Sequence, residues 1–133
     1  MKFLSIFGPP KPPDLSFLAW DPVQFACIHG VDSGYEIWQL SADEGLEMLE
    51  AFTAGMSPLG AVIPKNPFKK ECRYGRAQFL LKFYFSHHAD VGFSVGPPNI
   101  LLYEGWYWSV GQASWECGKT LADRYRTRKP MGQ

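Results

Sequence analysis

The chain has 133 residues, of which 46% are hydrophobic, 20% charged and 16% aromatic. These proportions exclude a disordered or fibrous chain and fit one domain with a sizeable core. Thirteen basic residues balance thirteen acidic ones, so bulk charge implies no polyanionic partner.

Residues 3–7, Phe-Leu-Ser-Ile-Phe, read as a short strand. Their apolar run is too short for a secretory signal, which needs roughly 7–15 apolar residues. Gly8-Pro9-Pro10-Lys11-Pro12-Pro13 then reads as a stiff extended connector, because proline fixes φ and lacks the ladder donor. No stretch approaches the roughly 20 apolar residues of a membrane-spanning helix. The expectation is a cytoplasmic protein without membrane contact.

Residues 15–20 and 23–29 look β-like, separated by Asp21-Pro22. Gly30-Val31-Asp32-Ser33-Gly34 is a turn, and residues 35–40 alternate, with Tyr35, Ile37 and Gln39 opposite Glu36, Trp38 and Leu40. Residues 23–29 and 35–40 are therefore predicted to pair as an antiparallel hairpin. Ser41-Ala42-Asp43-Glu44 is a capping-box sequence, and its acids suit a helix N-terminus. Leu46, Leu49, Phe52 and Met56 recur at helical spacing, with Glu47 and Glu50 outside, and Gly55 and Pro58 end the helix.

Residues 57–76 read as a loop carrying Lys65, Lys69, Lys70, Arg73 and Arg76. Strands are predicted over 77–85, 91–95, 100–104 and 106–110, the last two joined around Glu104-Gly105 as a tight hairpin or one bulged strand. Residues 113–128 form a closing helix with Trp115, Leu121, Ala122 and Tyr125 as its apolar stripe. The sum is a single α+β domain over residues 1–133: a mostly antiparallel sheet of five to seven strands with one central and one C-terminal helix.

Charge divides the chain. Residues 1–64 hold two lysines against eight acids, a net of −6, and residues 65–133 hold eleven bases against five acids, a net of +6. Either the halves attract charged partners or they interleave and the dipole cancels.

Catalytic signatures are thin. Cys27, Cys72 and Cys117 are widely spaced and odd in number, without a CxxC pair, so they read as small, partly buried thiols and not as a disulfide framework. His87-His88-Ala89-Asp90 could offer His88 and Asp90 on one strand face to a metal or water, but it matches no zinc spacing and reads equally as a polar turn. Gly92-Phe93-Ser94-Val95-Gly96 spells the nucleophile-elbow pattern, yet Pro97-Pro98 forbids the helix that must follow. Gly118-Lys119-Thr120 lacks the upstream glycine of a phosphate loop, since position 113 is Ala. No enzyme, cofactor or metal site is predicted.

Two binding readings remain. Asp43, Glu44, Glu47 and Glu50 on the central helix, with Trp106, Tyr107 and Trp108, are candidates for a protein-binding surface. Lys119, Arg124, Arg126 and Arg128, with Trp115 and Tyr125 to stack on bases, are candidates for a nucleic-acid or nucleotide-binding segment. Against the second, a sequence pI near 6.8 is low for a nucleic-acid module. In size, composition and α+β pattern the whole chain resembles the small immunity proteins that neutralise secreted bacterial toxins. No diagnostic motif carries that resemblance, so no family residue transfers to this sequence. The resemblance implies a stoichiometric inhibitor that binds a toxin enzyme at or near its active site.

Overall fold

A computed structural model describes residues 11–31, 36–61, 77–96 and 99–131. Its strands are β1 (Val23–Gly30), β2 (Ile37–Leu40), β3 (Ser57–Ala61), β4 (Phe79–Phe85), β5 (Val91–Gly96), β6 (Ile100–Tyr103) and β7 (Trp106–Ser109). Its helices are α1 (Ala42–Thr53) and α2 (Gln112–Tyr125), preceded by a short 3-10 helix at Ser16–Ala19. The seven strands form one antiparallel sheet in the order β2-β1-β4-β5-β6-β7-β3, so the chain is α+β, with one central and one C-terminal helix.

β4 to β7 form a meander, which local hairpins make easy. The β1–β2 hairpin adds to one side, and β3 closes the other by pairing with β7. α1 therefore carries the chain from one edge of the sheet to the other. The hairpin pairs as its alternation predicts, Ile28 opposite Trp38 and Ala26 opposite Leu40.

The core lies between the helices and one sheet face. A single row crosses the strands: Phe79 pairs with Val95, Val95 with Leu101, and Leu101 with Trp108. All four are buried. α1 presses Gly45, Met48, Leu49 and Phe52 onto this face, and α2 adds Gly118, Leu121, Ala122 and Tyr125. The other face carries the row Ile37, His29, Leu80, Ser94, Leu102 and Tyr107.

Four details differ from the sequence reading. Residues 15–20 were expected to be β-like; instead Ser16–Ala19 is a 3-10 turn, since the Asp14 carboxylate accepts from the Ser16 amide at 2.9 Å and Leu18 N–H reaches Leu15 O. Residues 57–61, expected in a loop, form β3: β7 supplies a pairing partner, and the ladder shifts register between Pro58 and Gly60. The apolar stripe of α1 is Gly45, Met48, Leu49 and Phe52, so Leu46 stays outside. Cys117 is exposed, whereas Cys27 is buried; both are free thiols. The expected strand at 3–7, Cys72 and the basic cluster at 65–76 lie outside the described residues.

Glu104 and Gly105 both have positive φ, 50° and 70°, which makes the β6–β7 link a two-residue hairpin turn and not one bulged strand. At the C-terminal end, the Trp38 indole donates to Arg128 O at 2.9 Å and Met131 N–H donates to Ile37 O at 2.7 Å, so the tail runs along edge strand β2.

Candidate functional site

α1 begins as its sequence dictates. Ser41 Oγ accepts from the Glu44 amide at 3.2 Å, and Glu44 Oε1 accepts from the Ser41 amide at 3.0 Å, a complete capping box. Glu44 also binds the Arg128 guanidinium through both of its oxygens, one at 3.1 Å from Nη1 and the other against Nη2. Arg128, with the Ser41 amide, holds the Glu44 carboxyl down at about 2. Glu44 is thus consumed by the fold.

The other three acids of the helix are not. Asp43, Glu47 and Glu50 are exposed, and none has a basic partner among the described residues. Among the described residues Glu47 accepts only from the Tyr125 hydroxyl, at 3.4 Å. Spacings of four and three residues put all three on one side of the helix, with Leu46 among them.

Beside that side lies a cleft of about 500 Å³ between the 3-10 helix and α1, lined by Leu18, Trp20, Pro22, Leu46, Leu49 and Glu50 among others. Trp20 is 64% exposed and Leu46 43%. Neither stood among the sequence candidates. A Trp directly before Asp-Pro was the available signal, since Asp-Pro marks a turn outside the sheet; Leu46 was hidden because it shares a three-residue step with Leu49.

The residue after Trp20 is fixed by hydrogen bonds. The Asp21 side chain is fully buried, and its two oxygens accept from the His87 amide at 3.2 Å and the His88 amide at 2.7 Å, with His87 Nδ1 a further 3.2 Å contact. Burial opposes ionisation of Asp21, but these donors outweigh it and keep the carboxyl below its usual value. His88 stacks on Phe17, ring centroids 3.6 Å apart. His87, His88 and Asp90 accordingly sit in the β4–β5 connection and not on a strand, and Asp90 pairs with Lys82 at 3.1 Å. Among the described residues no group of three His, Cys, Asp or Glu side chains is placed to hold a metal.

Trp106, Tyr107 and Trp108 do not join the acidic helix. They lie on β7, separated from β1 by three strands. Trp108 is 6% exposed in the core row, Trp106 packs against the same core, and Tyr107 points to the opposite face. The aromatic patch of the sequence is thereby divided between two faces.

The basic segment is largely occupied. Lys119 donates to Gln78 Oε1 at 3.1 Å, pairs with Asp123 and lies over Phe79. Arg126 lies over Trp38 and Phe79, and Arg128 over Tyr125 as well as on Glu44. Arg124 is exposed. Tyr125 is buried and so offers no free stacking face, and Trp115 is partly buried, with its ring near-perpendicular to that of Phe52. Gly92-Phe93-Ser94-Val95-Gly96 falls within β5 and Ser94 is a strand residue, not an elbow. Among the described residues no helix is long and apolar enough to cross a membrane. No known protein family, curated protein or solved structure matches the chain.

Proposed function

We propose that the chain is a stoichiometric protein-binding inhibitor of the immunity type, which covers the basic active site of an enzyme, a toxin or effector that acts on a phosphate-rich substrate. The observation that carries this reading is the outer side of α1: Asp43, Glu47 and Glu50 are exposed and lack basic partners among the described residues, while Lys119, Arg126 and Arg128 are each engaged by groups of the chain itself. Such a row of carboxylates can stand in for substrate phosphates and steer encounter with a basic surface.

The test begins with the tagged protein, captured from its native lysate at moderate salt and read by mass spectrometry. The expected result is one stoichiometric enzyme whose activity falls to zero at one equivalent. Glu47→Lys with Glu50→Lys should weaken that complex by at least about tenfold, since like charges across an interface are strongly disfavoured. Unchanged affinity in the double variant would remove α1 from the interface. Capture of nucleic acid alone would overturn the reading in favour of the basic C-terminal segment.

A further inference from the structure

We propose that the cleft between the 3-10 helix and α1 is an anchor socket, taking one bulky apolar side chain from a partner segment in which lysines or arginines flank that anchor. The proposal rests on the reading of the chain as a protein-binding inhibitor and assigns where, and by what chemistry, the partner's segment docks.

The first ground is apolar exposure with shape. Five large hydrophobics are exposed among the described residues, and two of them, Trp20 and Leu46, line one common cleft. Its volume of about 500 Å³ has room for a large side chain. Exposed tryptophan beside a concavity is the usual make-up of an interface hot spot.

The second ground is charge. Glu50 stands on the cleft wall, and Glu47 and Asp43 continue along the same side of α1. Seven rises of 1.5 Å from Asp43 to Glu50 give the acidic row a length of about 10 Å. That reach suits a peptide segment with several basic side chains better than a small ligand. Asp21 also borders the cleft, but its carboxylate already accepts from the two turn amides and faces His87, so it serves the fold and leaves the recognition of cations to Glu50 and Glu47.

The third ground is preorganisation. The amides of Trp20 and Asp21 both donate to Phe17 O, at 3.2 and 2.9 Å, and Phe17 is buried beneath His88. The backbone of the exposed indole is therefore ordered before any partner arrives, which lowers the ordering cost of binding.

Fluorescence anisotropy at low salt tests this with three labelled helical peptides of about 14 residues. One carries a central leucine flanked by lysines, the second replaces the lysines by glutamates, and the third replaces the leucine by alanine. The leucine–lysine peptide should bind at least about tenfold more tightly than either other peptide, a difference of about 1.4 kcal/mol. Trp20→Ala, and independently Leu46→Ala, should each cut its affinity severalfold while leaving the thermal melt near that of the parent, because both side chains are solvent-exposed. Affinity lost in Glu47→Lys/Glu50→Lys but indifferent to the anchor, to Trp20 and to Leu46 would overturn the socket and leave the acidic-face reading standing. Absence of any binding by the leucine–lysine peptide would also overturn the socket, while the capture of a partner enzyme judges the wider reading separately.

Discussion

Gly118 shows how much a single missing atom decides. A Cβ at this position would lie 2.5 Å from Phe52 Cζ, far inside van der Waals contact. Phe52 is fully buried and packs against Phe79 and Trp115, so its ring has nowhere to go. Alanine would bring about 1 kcal/mol of helix propensity. Displacing a buried Phe forfeits more, because its burial is worth roughly 1.5–3 kcal/mol. Gly118→Ala is therefore expected to destabilise the protein by about 1–3 kcal/mol, read as a lower midpoint in urea unfolding at unchanged m-value. From sequence this glycine reads only as a flaw in the C-terminal helix. Its reason is a contact 66 positions away in the chain, which no local pattern contains.

Between elements, Asp21 is the tie that joins the 3-10 helix to the β4–β5 connection. Removing its charge and one acceptor leaves a turn amide without its partner. Asp21→Asn should speed hydrogen exchange at the His87 and His88 amides severalfold relative to the central amides of β4, which NMR exchange measures directly. An equal acceleration across β4 would mean global destabilisation and no local tie. Several elements are legible in the sequence because their signals are local: the Ser41–Glu44 box and the β1–β2 alternation are of this kind, whereas Glu104-Gly105 reads as either a hairpin or a bulge until the positive φ angles decide it. The misses have two causes. The 3-10 turn is local, since the Asp14 carboxylate bonds the Ser16 amide and competes with the strand pattern. By contrast β3 exists only because β7 lies beside it, and the phase of the α1 stripe is set by which side meets β1. The candidate site was half legible for that second reason. The acids of α1 carry their own exposure signal, whereas Trp20 and Leu46 meet only through tertiary packing.

At the scale of the whole molecule, the acidic and basic halves of the sequence interleave. β1 stands beside β4, β3 stands beside β7, and α1 packs on α2. The Glu44–Arg128 pair spans 84 positions and fastens the start of one helix to the tail beyond the other. Its pH signature has a definite sign. The folded-state carboxyl is depressed to about 2 from an ordinary 4.5, so its contribution is complete above pH 4.5 and is lost as pH falls toward 2. Because Arg128 is half exposed, solvent screening limits the pair to about 1 kcal/mol. Urea unfolding between pH 6 and pH 2 should show that loss in the parent, and a correspondingly smaller loss in Glu44→Gln.

The two ends of the sheet have a bearing on how the molecule meets others. An open sheet invites growth, since its outermost strands present backbone groups to any passing chain. Here the protein's own tail runs along β2, while β3 carries Pro58, which has no amide to donate, and a register break directly after it. Neither border is a clean template for strand addition. Recognition is thus steered away from the backbone and toward side chains, where an indole and a row of carboxylates discriminate among partners in a way that a bare peptide edge does not.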